Sequence, residues 1–125
     1  MINPDVLLVE DSAGDVLICR QILSEMPINL QIARDGLQAL LMLADPSFKP
    51  ALVILDLNIP DISGQEVLAR YHPQKPPIII FSSSQNEIEK GRALAMGARD
   101  YVAKPLDLDA YRGALRSMVE KWALH

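Results

Sequence analysis

Leu52-Val53-Ile54-Leu55 is an unbroken apolar run that ends on Asp56, and Pro60 stands four residues further on. A run this apolar, with β-branched Val53 and Ile54, suits a strand covered on both faces. Proline has no N–H to give a neighbouring strand, so the chain must leave the sheet between Asp56 and Pro60. A carboxylate is thereby set at the C-terminal end of a buried strand, the edge at which open α/β sheets bind ligands. Taken alone, Asp56 also reads as a helix N-cap or a turn residue. Its meaning depends on what else reaches that edge.

The rest of the chain supplies four more such runs. Val6-Leu7-Leu8-Val9 ends at Glu10-Asp11, Leu30-Gln31-Ile32-Ala33 precedes an Asp35-Gly36 turn signal, Ile78-Ile79-Ile80-Phe81 leads into Ser82-Ser83-Ser84, and Tyr101-Val102-Ala103 leads into Lys104-Pro105. Segments of helical spacing lie between and after them. Ser12, three residues before Asp15, opens the first as a variant capping box; Val16, Cys19, Leu23 and Met26 follow as far as Pro27. Leu37, Leu40, Leu41 and Ala44 mark the second helix. Ser63-Gly64 with Val67, Leu68 and Tyr71 marks the third, closed by Pro73, Pro76 and Pro77. Ile88, Gly91, Leu94 and Ala95 mark the fourth, with Gly97 as its C-cap, and Leu108, Tyr111, Leu115, Met118 and Trp122 stripe the fifth as a core face. Strict alternation with short connections implies parallel strands and right-handed crossovers, hence one open sheet with helices on both faces. All strand C-termini then share one edge, where Glu10, Asp11, Asp56, Ser82 and Lys104 can converge.

Three carboxylates in one crevice repel one another. Unit charges about 4 Å apart at an effective dielectric near 20 interact by roughly 4 kcal/mol. A cation relieves this, and Mg²⁺ suits an all-oxygen donor set. Lys104 can neutralise part of the remaining charge and Ser82 can donate to an oxygen. A carboxylate, a divalent cation, a lysine and a hydroxyl together suit phosphoryl transfer, with Asp56 as the nucleophile because Glu10 and Asp11 are adjacent and better placed to hold metal. No Gly-rich phosphate loop is present, which argues against a nucleoside triphosphatase. His72 and His125 lie far from the strand ends and read as exposed. A single cysteine, Cys19, excludes an intrachain disulfide and a cysteine zinc site and reads as a small buried helix residue. A net charge of -4 without a basic cluster argues against nucleic acid as a partner. No apolar stretch spans a bilayer and no signal-peptide pattern opens the chain, so the expected compartment is the cytoplasm.

These residues together resemble the receiver domain of two-component response regulators over nearly the whole chain. The resemblance rests on Leu8-Val9-Glu10-Asp11, on Leu55-Asp56-Leu57-Asn58-Ile59-Pro60 with Gly64 beyond, on Pro77 to Ser82, and on Gly97-Ala98-Arg99-Asp100-Tyr101-Val102-Ala103-Lys104-Pro105. It implies a flavodoxin-like, doubly wound α/β fold: a five-stranded parallel sheet of order 2-1-3-4-5 with five helices, forming one receiver domain over residues 1–125. It also implies that Asp56 accepts a phosphoryl group from a sensor histidine kinase or phosphotransfer protein. Asp11, Glu10, Asp56 and the Asn58 backbone carbonyl would hold Mg²⁺. Lys104 would pair with Asp56 and then with a phosphoryl oxygen; Ser82 would hydrogen-bond the phosphoryl group and Tyr101 would swing inward behind it as the switch. Pro105 would follow Lys104 through a cis bond, as this family has it.

Three departures stand out: Glu10 where aspartate is commoner, Ser82 for the commoner threonine, and Ser83 where alanine is usual. Taken alone, Tyr101 is also a plain strand aromatic and Lys104 a solvated lysine. Asn58 and Ser84 are expected to flank the path of a water that removes the phosphoryl group. The readout face is expected on the fourth helix, fifth strand and last helix, and a homodimer through the last helix is compatible with the pattern. The chain is expected to catalyse no reaction beyond its own phosphorylation and dephosphorylation. The rival readings are a receiver cut from a longer regulator, a phosphate-independent pseudo-receiver, and a haloacid-dehalogenase-like phosphatase. The last needs a second acid two residues after the nucleophile, where this chain has Asn58.

Overall fold

The computed structural model describes residues 2–71 and 76–124. His72, Pro73 and His125 lie outside the described residues. Ten elements alternate along the described residues: β1 (Asp5–Val9), α1 (Ala13–Leu23), β2 (Asn29–Ala33), α2 (Gly36–Ala44), β3 (Leu52–Leu55), α3 (Gly64–Arg70), β4 (Ile78–Ser82), α4 (Glu87–Ala95), β5 (Asp100–Ala103) and α5 (Leu108–Trp122). The strands form one sheet of order β2-β1-β3-β4-β5, every pair parallel, which is the flavodoxin-like order expected.

Successive strand residues face opposite sides, so the two-residue period divides the apolar runs between two cores. Val6, Leu8, Leu52, Ile54, Ile79 and Phe81 pack with α1 and α5. Leu7, Val9, Val53, Leu55, Ile78, Ile80 and Tyr101 pack with α2, α3 and α4. Both faces of the three central strands are buried, which explains why these runs are continuous rather than alternating.

Every helix opens on a side-chain N-cap: Ser12, Asp35, Ser63, Asn86 and Asp107 each accept a backbone N–H of the first turn. Asp35-Gly36 is therefore a helix start rather than only a turn. Helix α1 stops at Leu23, three residues before Met26, because Ser24 Oγ donates to the Gln21 carbonyl and Pro27 disfavours a helical Met26. Met26 still packs in the core from the following turn.

Apolar spacing alone is an imperfect guide to the buried faces of α4 and α5. On α4 only Ala93 is buried, while Ile88 and Leu94 are exposed at 72% and 39%. The small Ala93 brings α4 close to the sheet and turns the larger apolar residues outward. On α5 the core face is Tyr111, Leu115, Met118 and Val119, and Leu108 in its first turn is exposed. The expectation of a core-facing Leu108 is thus overturned, and so is that for Pro105: no peptide bond among the described residues is cis, so it follows Lys104 in the ordinary trans form, which X–Pro bonds favour by about 0.5–1 kcal/mol.

Candidate functional site

The three strands β1, β3 and β5 each carry a charged residue just past their last ladder position. The backbone holds all three there. Glu10 N–H donates to the Ala33 carbonyl at 2.9 Å, Asp56 N–H to Val9 at 3.1 Å, and Lys104 N–H to Ser82 at 2.7 Å. Strand alternation sends Glu10, Asp56 and Lys104 to the side of the sheet shared by α1 and α5. Ser82 follows Ile78 and Ile80 toward the other side, where Tyr101 lies.

The side chains follow that division. Lys104 Nζ lies 2.5 Å from Glu10 Oε1 and 3.1 Å from Asp56 Oδ2. Carboxylate oxygens of Glu10, Asp11 and Asp56 all come within 4.8 Å of one another; Glu10 and Asp56 are buried and Asp11 is exposed. Asn58 donates its N–H to Asp56 Oδ1 at 3.0 Å, so its backbone is drawn to the same pocket while its side chain is exposed. Ser82 is fully buried, and among the described residues its Oγ accepts the Ser84 N–H at 3.3 Å rather than meeting Asp56 or Lys104. Tyr101 is buried, lies inward, and donates its O–H to the Ser84 carbonyl at 2.9 Å.

Two glycines set the shape of the loop after Asp56. A Cβ on Gly64 would stand 2.5 Å from Leu57 Cα and 2.7 Å from the Asp56 carbonyl oxygen. A Cβ on Gly36 would stand 2.0 Å from the Ile62 carbonyl oxygen. The start of α3 is thus folded directly onto the Asp56–Leu57 backbone, with Gly64 N–H donating to the Leu57 carbonyl at 3.1 Å. Asp61 takes up the reversal at φ 66°, a left-handed conformation that aspartate tolerates better than most residues.

Burial is the largest influence on the Glu10 carboxyl. It pushes the Glu10 carboxyl from its ordinary 4.5 up to about 7; the nearby Asp56 charge adds to this, and the hydrogen bond from Lys104 opposes it. Burial would lower the Lys104 ammonium, but the Glu10 hydrogen bond and the surrounding carboxylates outweigh it and hold Lys104 above the ordinary lysine range. An all-carboxylate oxygen set is what a hard divalent cation takes, so Glu10, Asp11 and Asp56 fit such an ion.

One part of the pocket was not legible in the sequence. Asp15, in the first turn of α1, places Oδ2 3.5 Å from Lys104 Nζ and accepts the Tyr111 O–H at Oδ1, 2.7 Å away. Burial acts to raise the Asp15 carboxyl, but the Tyr111 hydrogen bond and the Lys104 charge prevail and lower it. The available signal was Tyr111 itself: a tyrosine on a core stripe carries a hydroxyl that needs a partner. The capping box is also shared differently from the sequence pattern. Ser12 Oγ accepts the Asp15 N–H, but Glu10 Oε2, not Asp15, receives the Ser12 N–H.

The family model of the response regulator receiver domain matches residues 6–116. The chain belongs to that family. Among curated relatives, this receiver domain is 33% identical to response regulator Rcp1 of Synechocystis over 82% of the chain and 78% of that protein. It is 35% identical to the transcriptional regulatory protein KdpE of Mycobacterium tuberculosis over 93% of the chain, and 28% identical to regulatory protein LuxO of Vibrio cholerae over 91% of it. The chain spans 51% of KdpE and 25% of LuxO. Among solved structures, the phosphorylated cyanobacterial phytochrome response regulator RcpA superposes with a TM-score of 0.90 at 27% identity, covering 96% of this chain and 94% of RcpA. The Mn²⁺-bound form of Rcp1 superposes at 0.87 and 29% identity, with the same coverage of each chain. No described helix is long and apolar enough to cross a membrane.

Proposed function

We propose that this receiver domain is a Mg²⁺-dependent phosphoryl acceptor in a phosphorelay, with Asp56 as the acceptor. The observation that carries the reading is the position of Asp56: at the C-terminal end of the central strand, 3.1 Å from the Lys104 ammonium, in reach of two further carboxylates. An Asp56 carboxylate oxygen forms a bond to phosphorus as the P–N bond of a phosphohistidine breaks. The histidine nitrogen keeps the electron pair and takes one proton from solvent. Lys104 passes from the Asp56 carboxylate to a phosphoryl oxygen, and Ser82, two residues from the Tyr101-bound Ser84, donates to another. Glu10, Asp11, Asp56 and the Asn58 carbonyl would hold Mg²⁺, which when bound offsets charge on the phosphoryl oxygens. The donor would be a sensor histidine kinase or a phosphotransfer protein in the cytoplasm, and the domain would catalyse only its own gain and loss of phosphate.

Phosphorylation replaces one negative charge by roughly two and adds acceptor oxygens. A charge-assisted contact contributes roughly 1.5–3 kcal/mol. Two such contacts, from Lys104 and Ser82, approach the about 5.5 kcal/mol needed to invert a 1:99 population. The change would be read on α4, β5 and α5, a reading supported by the exposed Ile88 and Leu94 of α4 and by the hydrogen bond of Tyr101 to the Ser84 carbonyl. The test is intact-mass spectrometry after incubation with acetyl phosphate, with and without Mg²⁺, on the wild type and Asp56→Asn. The expected result is a metal-dependent gain of one phosphoryl group, lost in the variant. No gain under any condition overturns the reading in favour of a phosphate-independent binding module.

A further inference from the structure

The Lys104 ammonium has three protons and three carboxylate neighbours: Glu10 at 2.5 Å, Asp56 at 3.1 Å and Asp15 at 3.5 Å. Glu10 and Asp56 belong to the acidic cluster that fits a cation; Asp15 is outside it. The second oxygen of Asp15 is held by the Tyr111 hydroxyl at 2.7 Å. Tyr111 is itself fixed: it is buried, packs edge-on against Phe81 with centroids 5.1 Å apart, and its oxygen lies 3.5 Å from the Cys19 sulfur. Because the phenol has one proton and gives it to Asp15, the Cys19 thiol is the donor in that last contact. A carboxylate from α1 is thus clamped by a phenol from α5 and turned onto the lysine that follows β5.

We propose that Asp15 is a positioning residue for Lys104 during phosphoryl transfer, and that Tyr111 holds Asp15 in that role. The proposal rests on the reading of Asp56 as the acceptor. Asp56 changes its bonding when the new oxygen–phosphorus bond forms, and Glu10 is shared with whatever cation the cluster takes. Asp15 is the ion-pair partner of Lys104 whose other partner, Tyr111, is untouched by the chemistry. It therefore defines where the ammonium stands as its contact passes from Asp56 to a phosphoryl oxygen. Lysine carries its charge on a flexible four-carbon stem, and displacement of a reacting group by about 1 Å can cost about 100-fold in rate. The helix cap does not require this arrangement. The N-cap contact of α1 uses only the Asp15 backbone N–H, and a first-turn acid would satisfy the helix dipole equally well pointing into solvent.

The test is the rate of Mg²⁺-dependent mass gain from acetyl phosphate, in which the Asp56 oxygen–phosphorus bond forms as the donor's P–O bond breaks and acetate leaves. Asp15→Asn should slow the gain about fivefold to tenfold, and Tyr111→Phe should slow it less but in the same direction, with both effects absent in a Lys104→Met background. Tyr111→Phe keeps the buried ring and tests the proposal should Asp15→Asn fail to fold. The Lys104 ¹⁵Nζ resonance gives a second reading that needs no transfer: both single substitutions should shift it and speed exchange of its protons. Unchanged rates, an equal slowing in the Lys104→Met background, or an unmoved Nζ resonance overturns the proposal. A wild type that gains no mass shows instead that the acceptor reading has failed, and the positioning role falls with it.

Discussion

Replacing Glu10 by glutamine should stabilise this protein, and by an amount that grows with pH. Glu10 is 2% exposed, and burial raises its carboxyl from 4.5 to about 7 even with Lys104 beside it. An acid whose folded pKa is raised favours the folded state less as it ionises. The loss begins near the unfolded value of 4.5 and is complete above about 7. Its size is about 3 kcal/mol at pH 8 and less than about 1 kcal/mol at pH 5. Lys104 is shifted upward and stays charged throughout this range, so its pairing adds nothing to the slope. Glutamine cannot ionise. Urea unfolding of wild type and Glu10→Gln at pH 5 and pH 8, in EDTA, should therefore show a difference that widens by about 2 kcal/mol in favour of the variant. Subtracting wild type from variant cancels the contributions that the substitution leaves unchanged. A difference that stays constant with pH, or that moves in favour of wild type, would refute the argument that desolvation outweighs the Lys104 pairing.

Gly64→Ala forces a methyl group to within 2.5 Å of the Leu57 Cα and should cost about 2 kcal/mol or more, whereas Gly91→Ala meets no atom within 4 Å and should gain about 0.5–1 kcal/mol from helix propensity; urea midpoints that rank the two the other way would contradict this. Cys19 is 1% exposed and burial pushes its thiol up to about 11, so an aromatic disulfide reagent at pH 8 should label it at once in urea but in the native protein only as fast as the fold opens. Tyr101→Phe deletes the hydroxyl donated to the Ser84 carbonyl and should cost about 1 kcal/mol, with amide shifts concentrated in the β4–α4 loop; shifts spread evenly over the sheet would count against that contact. Substituting Asn58 and Ser84 together should change the lifetime of the phosphorylated form, and an unchanged lifetime would remove the idea that they flank the attacking water.

Local pattern carried much of this molecule. The apolar runs and the helical spacings between them give the alternation, and alternation with short connections leaves the parallel, doubly wound sheet as the economical solution. The same pattern puts Glu10, Asp56 and Lys104 at one edge, and the two-residue period sends all three to one face, where the structure finds Lys104 bonded to both acids. The meeting of Asp15 with Tyr111, 96 residues apart, depends on how α1 and α5 lie side by side, and neither residue's local spacing encodes that. The outward turn of Ile88 and Leu94 was hidden for a similar reason: periodicity says that a helix has an apolar face, but the close approach allowed by Ala93 decides which face meets the sheet. Gly36 and Gly64 look like turn residues in sequence, and only the folded chain shows carbonyl oxygens standing where their side chains would be. What is periodic along the chain was therefore determined by the sequence alone; what depends on two distant segments sharing one volume was decided by the tertiary packing.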